Sequence, residues 1–325
     1  MRPFAFETPA SLDEALRRAG DDTQFLAGGT TLVDLMKLEV MTPSRLLDIG
    51  RLPLRGIRVH GHTLHIGAGE RMSDVAGHDL VVRSFPVIAE ALRLSASPQV
   101  RNMATIGGNL LQRTRCGYFR DTATPCNKRD PGSGCPAIHG ENRTHAILGT
   151  SDDCAATHPS DLAVALVALD ASVHLASRDG TRRVRLADFY HLPGRTPHVE
   201  HDRSPGELMT AVTVPALPWA RRSTYVKVRD RSSYEFALTS VALALDLHGG
   251  TIRAARVAAG GVATRPWRLS AVERALTGRP ARLETYEVAA AHAAEGARPL
   301  THNGFKPELL RRTVVRALVE LGGRA

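Results

Sequence analysis

The chain has 325 residues, of which 43% are hydrophobic and 23% are charged, and its formal net charge is +9. This composition excludes a disordered protein and allows two globular domains. The positive charge suits an anionic ligand; nucleic acid is disfavoured because recognition-helix, zinc-finger and aromatic-basic patterns are all missing. The longest apolar run, residues 162–169, is too short to span a bilayer, and residues 1–20 lack a signal-peptide core. We therefore expect no membrane span and no export signal.

The first two thirds of the chain alternate between helical and strand patterns. The capping box Ser11-x-x-Glu14 predicts a short helix, and Gly28-Gly29 separates a short buried strand from a helix that begins near Thr31. Further along, the patterns predict a strand at 46–49, a hairpin of 57–60 and 64–67 around a His-Gly-His turn, a helix at 87–94, and a hairpin of 173–176 and 184–186.

After Pro215 and Pro218 the pattern restarts. It predicts an antiparallel meander of 224–229, 240–247 and 252–258, followed by helices at 267–276, 283–294 and 307–321. We therefore predict two α+β units, 1–218 and 219–325, with an insertion at about 113–155 in the first.

All four cysteines fall in that insertion. Cys116, Cys126, Cys135 and Cys154 have the spacing C-x9-C-x8-C-x18-C, which lacks the C-x2-C pairs of structural zinc sites and bacterial ferredoxins. Two disulfides are the alternative, but a chain without an export signal stays in a reducing compartment. The spacing alone supports a metal or cluster site and a purely structural role for the four cysteines about equally.

The composition around the cysteines favours an iron–sulfur cluster. Residues 101–143 contain seven Lys and Arg but three Asp and Glu, and a thiolate-bound 4Fe–4S cluster is negatively charged. A long loop rich in Gly and Pro also needs an internal anchor. His139, His145 and His158 lie nearby, and for each a surface or hydrogen-bonded role is favoured over a ligand role.

Two glycine pairs suggest phosphate binding. Gly28-Gly29 lies between a strand and a helix, and Gly107-Gly108 follows Thr105-Ile106, so backbone N–H groups could face an anion in both places. Neither segment has the Rossmann or P-loop motif, and each pair alone is more typical of a plain turn. Together with the cysteines, the two pairs favour a diphosphate cofactor beside a redox centre.

Several segments together resemble one family. Residues 25–37 (FLAGGTTLVDLMK) and 99–110 (QVRNMATIGGNL) are similar to the two FAD-binding loops of the flavin subunits of molybdenum hydroxylases, the xanthine dehydrogenase family. The matches at 158–161, 206–209, 225–227 and 259–267 follow in order. The cysteine segment resembles the subgroup of aldehyde oxidoreductase flavin subunits in which four cysteines bind a 4Fe–4S cluster. The flavin subunit of 4-hydroxybenzoyl-CoA reductase is the neighbouring alternative.

The resemblance implies a fold and a function. It implies a vanillyl-alcohol-oxidase or PCMH-type FAD-binding domain of two subdomains, followed by a C-terminal α+β domain like that of CO dehydrogenase flavoproteins. The chain would carry electrons to a terminal acceptor from a molybdopterin-binding large subunit and a 2Fe–2S small subunit. The substrate site would lie on a partner, so no catalytic residue is expected here. Location would be cytoplasmic, or periplasmic if a signal-bearing partner exports the complex.

The resemblance also implies roles for individual residues. The FAD pyrophosphate would be held by main-chain amides of Leu26, Ala27, Gly28, Gly29, Thr30, Thr31 and Leu32, and by Thr105, Gly108 and Asn109. Asp161 would accept hydrogen bonds from cofactor hydroxyls, although it could instead cap the following helix. Met209 would pack near the isoalloxazine, and Lys227, otherwise a solvated edge lysine, would lie near the flavin ring. Ser95-Ala96 replace the aromatic residue common in xanthine dehydrogenases.

Two alternatives from other functional classes also fit the sequence. In one, the cysteines hold zinc in a structural protein and the glycine pairs are turns. In the other, the chain is a stand-alone flavin oxidase, which is disfavoured because no catalytic base and no covalent-attachment histidine are evident.

Overall fold

The first sheet is small and parallel, in a computed structural model that describes residues 1–61 and 63–323. Its strands are β1 (Ala5–Glu7), β2 (Thr23–Leu26) and β3 (Arg45–Asp48), in the order β1-β3-β2. Helices α1 (Leu12–Arg18) and α2 (Leu32–Lys37) connect these strands. The Ser11 hydroxyl accepts from the Glu14 N–H at 3.2 Å, so the predicted cap at the start of α1 is confirmed.

The second sheet has five antiparallel strands. They are β4 (Ile57–His60), β5 (Thr63–Gly67), β6 (Ser172–Ser177), β7 (Gly180–Arg185) and β8 (Leu208–Pro215), in the order β4-β5-β8-β6-β7. Both predicted hairpins are present, but the predicted His-Gly-His turn includes residue 62, which lies outside the described residues. The helices of this region are α3 (Met72–Gly77), α4 (Asp79–Ser84), α5 (Pro86–Leu94), α6 (Pro98–Arg101), α7 (Ile106–Leu110), α8 (Gly117–Arg120), α9 (Asp161–Ala168) and α10 (Leu186–Phe189).

The third sheet is the predicted meander. Its strands are β9 (Ser223–Val228), β10 (Thr239–His248), β11 (Thr251–Gly260) and β12 (Trp267–Arg268), in the order β12-β11-β10-β9. Helices α11 (Ser270–Leu276), α12 (Leu283–Ala290) and α13 (Lys306–Gly322) belong to the same region. The predicted helix start at 267 is wrong, because Trp267 pairs with Ala259 as an edge strand. The predicted helix 283–294 ends at Ala290 and continues as a 3-10 turn, Ala291–Ala294.

Helix α9 packs against the meander and against α5. All eight of its residues are buried, and its core cluster includes Val212 of β8 as well as Ala242 and Ala258 of the meander. The apolar run is therefore continuous because the helix is covered on all sides, not because it meets lipid. None of the described helices is both long and apolar enough to cross a bilayer. The N-terminus of α9 places Asp161 between the two halves of the chain.

Candidate cofactor site

The two glycine segments lie against each other. A Cβ atom on Gly28 would stand 2.0 Å from the Met103 carbonyl oxygen, so only glycine permits this approach. Gly29 has φ +70°, the left-handed region that glycine adopts without strain. Across the gap, Thr105 caps α7 by accepting the Gly108 N–H at 3.2 Å, which leaves its hydroxyl proton free to donate. The backbone of the first glycine segment and the Thr105 hydroxyl of the second therefore lie at the same place.

A cavity of about 460 Å³ opens at this contact. Of the sequence-predicted residues, its lining includes Ala27, Gly28, Gly29, Thr30, Thr31, Leu32, Thr105, Gly108 and Met209. Leu26 and Asn109 lie outside the lining. Asn109 is instead buried, where its amide contacts Met72 Sδ at 3.4 Å and its carbonyl oxygen accepts from Ser160 Oγ at 2.6 Å. Asn109 therefore fixes α7 to the start of α9.

Sequence reasoning missed several lining residues from one segment. His198, Glu200, His201 and Arg203 lie between β7 and β8 and face the same cavity. Burial alone would raise the pKa of Glu200, but Lys128 at 3.0 Å and Arg113 at 3.3 Å outweigh burial and lower that pKa to about 2. Because this segment has no motif and meets the glycine loops only in three dimensions, no sequence signal identified it.

Asp161 is the centre of a buried hydrogen-bond cluster. Its carboxylate accepts from Lys227 Nζ at 2.8 Å, Tyr225 Oη at 2.7 Å and Ser95 Oγ at 2.9 Å. The Lys227 side chain is 1% exposed, so its alternative as a solvated edge lysine is wrong. The alternative that Asp161 caps α9 is also wrong, because Ser160 Oγ accepts the Ala163 N–H.

A second cavity, of about 180 Å³, adjoins Asp161. Its lining also includes Cys116, His145, Phe236 and Gly261. The structure therefore brings Asp161 together with part of the cysteine segment. Met209 lies in the larger cavity with the glycine loops, apart from this one.

The four cysteines surround one small cavity. Cys116, Cys126, Cys135 and Cys154 all line it, and all four are free thiols, so the disulfide alternative is not found. Burial raises the pKa of Cys116 to about 12 and that of Cys154 to about 11, which favours neutral thiols. Across residues 1–61 and 63–323, no set of three or more His, Cys, Asp and Glu side chains is arranged to hold a metal ion.

One histidine of the insertion touches a thiol. The Nε2 atom of His145 lies 3.2 Å from Cys116 Sγ, and burial together with the charge of Lys306 lowers the pKa of His145 to about 4. His145 therefore stays neutral at physiological pH. His139 is exposed, and the backbone N–H of Ser160 approaches the His158 ring at 3.4 Å, as expected for loop histidines.

Ion pairs tie the cysteine segment to the first glycine loop. Arg115 and Arg120 reach Asp34 of α2 at 3.2 and 2.7 Å, and Arg115 also donates to Thr31 Oγ1 at 3.1 Å. The basic residues that sequence analysis assigned to a cluster environment are thus partly neutralised by partners from outside the insertion.

Comparison with known proteins identifies the family. Residues 2–217 match the family described as the FAD binding domain in molybdopterin dehydrogenase, and residues 224–321 match the CO dehydrogenase flavoprotein C-terminal domain. The chain belongs to the FAD-binding subunits of the molybdenum hydroxylase family. It is 48% identical to the aldehyde oxidoreductase FAD-binding subunit PaoB of Escherichia coli, with all of both chains covered. It is 31% identical to the glyceraldehyde dehydrogenase medium chain of Sulfolobus acidocaldarius, covering 97% of this chain and 95% of that one.

Solved structures agree with this membership. The carbon monoxide dehydrogenase of Hydrogenophaga pseudoflava superposes with a TM-score of 0.76 at 28% identity, covering 98% of this chain and 97% of its own. The FAD-binding fold followed by a flavoprotein C-terminal domain is therefore confirmed, as is FAD binding. As a molybdenum hydroxylase subunit, the chain is neither the zinc-binding structural protein nor the stand-alone oxidase weighed above.

Proposed function

We propose that this chain is the FAD- and 4Fe–4S-containing electron-transfer subunit of a molybdenum-dependent aldehyde oxidoreductase. The observation that carries the proposal is the convergence of four free thiols on one cavity, whose Cys116 also lines the cavity beside Asp161. The 48% identity to an aldehyde oxidoreductase subunit favours this substrate class over a 4-hydroxybenzoyl-CoA-reductase-like role. FAD would supply two-electron redox chemistry, and the cluster would supply one-electron transfer.

The larger cavity would hold the diphosphate part of FAD. Amides of residues 27–32 and the Thr105 hydroxyl bring hydrogen-bond donors to the same space. The N–H groups of Ile106, Gly107 and Gly108 already donate within the protein, and Arg113 is paired with Glu200. Asp161 already accepts three hydrogen bonds, so about one of its four lone-pair sites remains for a cofactor hydroxyl. Lys227 would act on the flavin chiefly by holding the Asp161 side chain in place through their 2.8 Å contact. Met209 would pack against the part of FAD that occupies the larger cavity, and Asn109 would support the turn from behind.

We infer a cluster rather than a single ion at the cysteine cavity, whose volume of about 10 Å³ would have to expand to admit it. Thiolates on one zinc ion, bound at about 2.3 Å, crowd around a point. A four-iron cluster takes one thiolate per iron, so its ligands surround a space. Burial keeps Cys116 and Cys154 neutral until a positive ion stabilises the thiolates. Cys116, Cys126, Cys135 and Cys154 would be the four ligands.

We further propose the domain boundaries of the chain, its partner subunits and the location of the complex. Residues 1–218 would form the FAD-binding domain, with the insertion at about 113–155, and residues 219–325 the C-terminal domain. The partners would be a molybdopterin-binding large subunit and a 2Fe–2S small subunit. They would pass electrons to this chain, which would transfer them to a terminal acceptor. The complex would be cytoplasmic, or periplasmic when a signal-bearing partner exports it.

Co-expression with the two partner subunits tests the proposal. The three chains should elute together in gel filtration with about four irons on this subunit per FAD, and adding an aldehyde should bleach the flavin absorbance. Complex prepared from cells grown with tungstate is the control, because inactive partner subunits should leave the flavin oxidised. A monomer that ignores the partners, or a flavin that stays oxidised while aldehyde is consumed, would refute the proposal.

A further inference from the structure

Cys116 lies where two cavities meet. It lines the cysteine cavity and also the cavity beside Asp161, whose wall includes His145. The distance between Cys116 Sγ and His145 Nε2 is 3.2 Å, within the range for a hydrogen bond to sulfur. His145 therefore stands at the side of the cysteine site that faces Asp161.

The C-terminal region holds His145 in place. Its carbonyl oxygen accepts from Lys306 Nζ at 2.8 Å and from Asn303 Nδ2 at 3.2 Å, and its N–H donates to Asn142 at 2.9 Å. The residue is 6% exposed, and its ring is 6.2 Å from that of Tyr118. A loop histidine on the surface would not need such support from a helix more than 150 residues away. The support fixes the backbone of His145, and the ring nitrogen Nε2 is held at Cys116 by its contact with Sγ.

We propose that His145 is a positioning residue that sets the reduction potential of the cluster by donating its Nε2–H to the sulfur of Cys116. The inference rests on the proposed cluster function. A thiolate ligand can only accept a hydrogen bond, so Nε2 carries the proton in this contact. Reduction adds one negative charge to the cluster, and a hydrogen bond to sulfur stabilises that charge and raises the potential.

Two variants separate the hydrogen bond from the ring itself. His145→Leu removes the donor, whereas His145→Gln keeps an N–H near the position of Nε2. In the complete complex, titration with dithionite monitored by EPR should show a more negative cluster midpoint for the leucine variant. A tenfold loss of reduced cluster at a fixed potential corresponds to about 59 mV for one electron. The glutamine variant should stay near the wild type, as should His139→Leu at an exposed histidine of the same insertion.

The iron-to-flavin ratio of each variant shows whether the cluster is present, and this decides how its midpoint is interpreted. A leucine variant with full iron and an unchanged midpoint overturns the inference while the proposed function stands. A wild-type complex without the cluster refutes both. If the leucine variant loses iron, pulsed EPR of wild-type complex labelled with 15N-histidine decides: a nitrogen coupling that disappears in His145→Gln supports the contact, and its absence in the wild type overturns it.

Discussion

Lys227 on β9 donates to Asp161 at the start of α9 across 2.8 Å, and both side chains are buried, at 1% and 7% exposure. Asp161 belongs to the half of the chain that carries the glycine loops, and Lys227 belongs to the meander. The pair therefore joins the two halves beside the cavity of about 180 Å³ that Asp161 lines. Tyr225 strengthens the junction, because its hydroxyl contacts both Asp161 at 2.7 Å and Ser240 at 2.8 Å.

Removing the lysine alone should be costly. Lys227→Met leaves the Asp161 carboxylate buried without its cation, and breaking a buried pair in this way costs about 3–5 kcal/mol. We expect the urea midpoint to fall accordingly, and Asp161→Asn combined with Lys227→Met to recover part of the loss. Lys37→Met, at an exposed lysine, is the control. Strictly additive effects in the double variant would show that the two side chains do not interact.

Local chain order explains what sequence reasoning predicted well. The segments 23–37 and 99–110 contain their turns, caps and glycines within a few residues, so their place at the cofactor cavity could be anticipated. The separate roles of Gly28 and Gly29 could not be anticipated from the sequence. Gly29 has the positive φ, whereas Gly28 is required because the Met103 carbonyl of the second glycine segment leaves no room for a Cβ.

A methyl group at Gly28 should therefore abolish flavin binding. Gly28→Ala places Cβ 2.0 Å from the Met103 carbonyl oxygen, so the two cofactor loops must separate. We expect the flavin absorbance at 450 nm per chain to fall at least tenfold. Gly77→Ala is the matched control, because its Cβ meets nothing within 4 Å. Normal flavin content in Gly28→Ala would mean that the loops need not touch to bind FAD.

The cluster and the flavin should be separable. The cysteines surround their own cavity and the glycine loops surround another, so each site can fail alone. Cys126→Ser replaces a buried thiol with a poorer iron ligand, and we expect the iron-to-flavin ratio to drop by about four or, for a three-iron product, by about one. Flavin content should remain above half of the wild-type value. Unchanged iron would exclude Cys126 as a ligand.

Long-range contacts account for what the sequence could not reveal. Nothing near Glu200 indicates that it neutralises Lys128 and Arg113 of the insertion, and nothing near Lys306 indicates that it supports residues 144–145. Both depend on segments that are far apart in the chain. The sequence indicates an ordinary loop histidine at His145 for the same reason, since its contact with Cys116 depends on how the whole insertion folds.

Lys306 should make stability depend on pH in an unusual direction. The side chain is fully buried and donates to the carbonyl oxygens of Thr144, His145 and Gly261 at 2.7–3.0 Å. Burial, aided by the charge of Arg143, lowers the pKa of Lys306 from 10.5 to about 7. The unfolded chain therefore binds more protons than the folded one between these values. The resulting penalty is complete below pH 7 and disappears as the pH rises towards 10.5.

Lys306→Met tests this sign. The variant should be less stable than the wild type at every pH, because three carbonyl groups lose their donor, but its deficit should grow by about 2 kcal/mol from pH 7 to pH 9 as the wild type escapes its penalty. Urea unfolding of both proteins at the two pH values measures the deficit. Lys37→Met should show a deficit that does not change with pH. A deficit that shrinks for Lys306→Met would mean that the folded protein holds this lysine as a favourable cation.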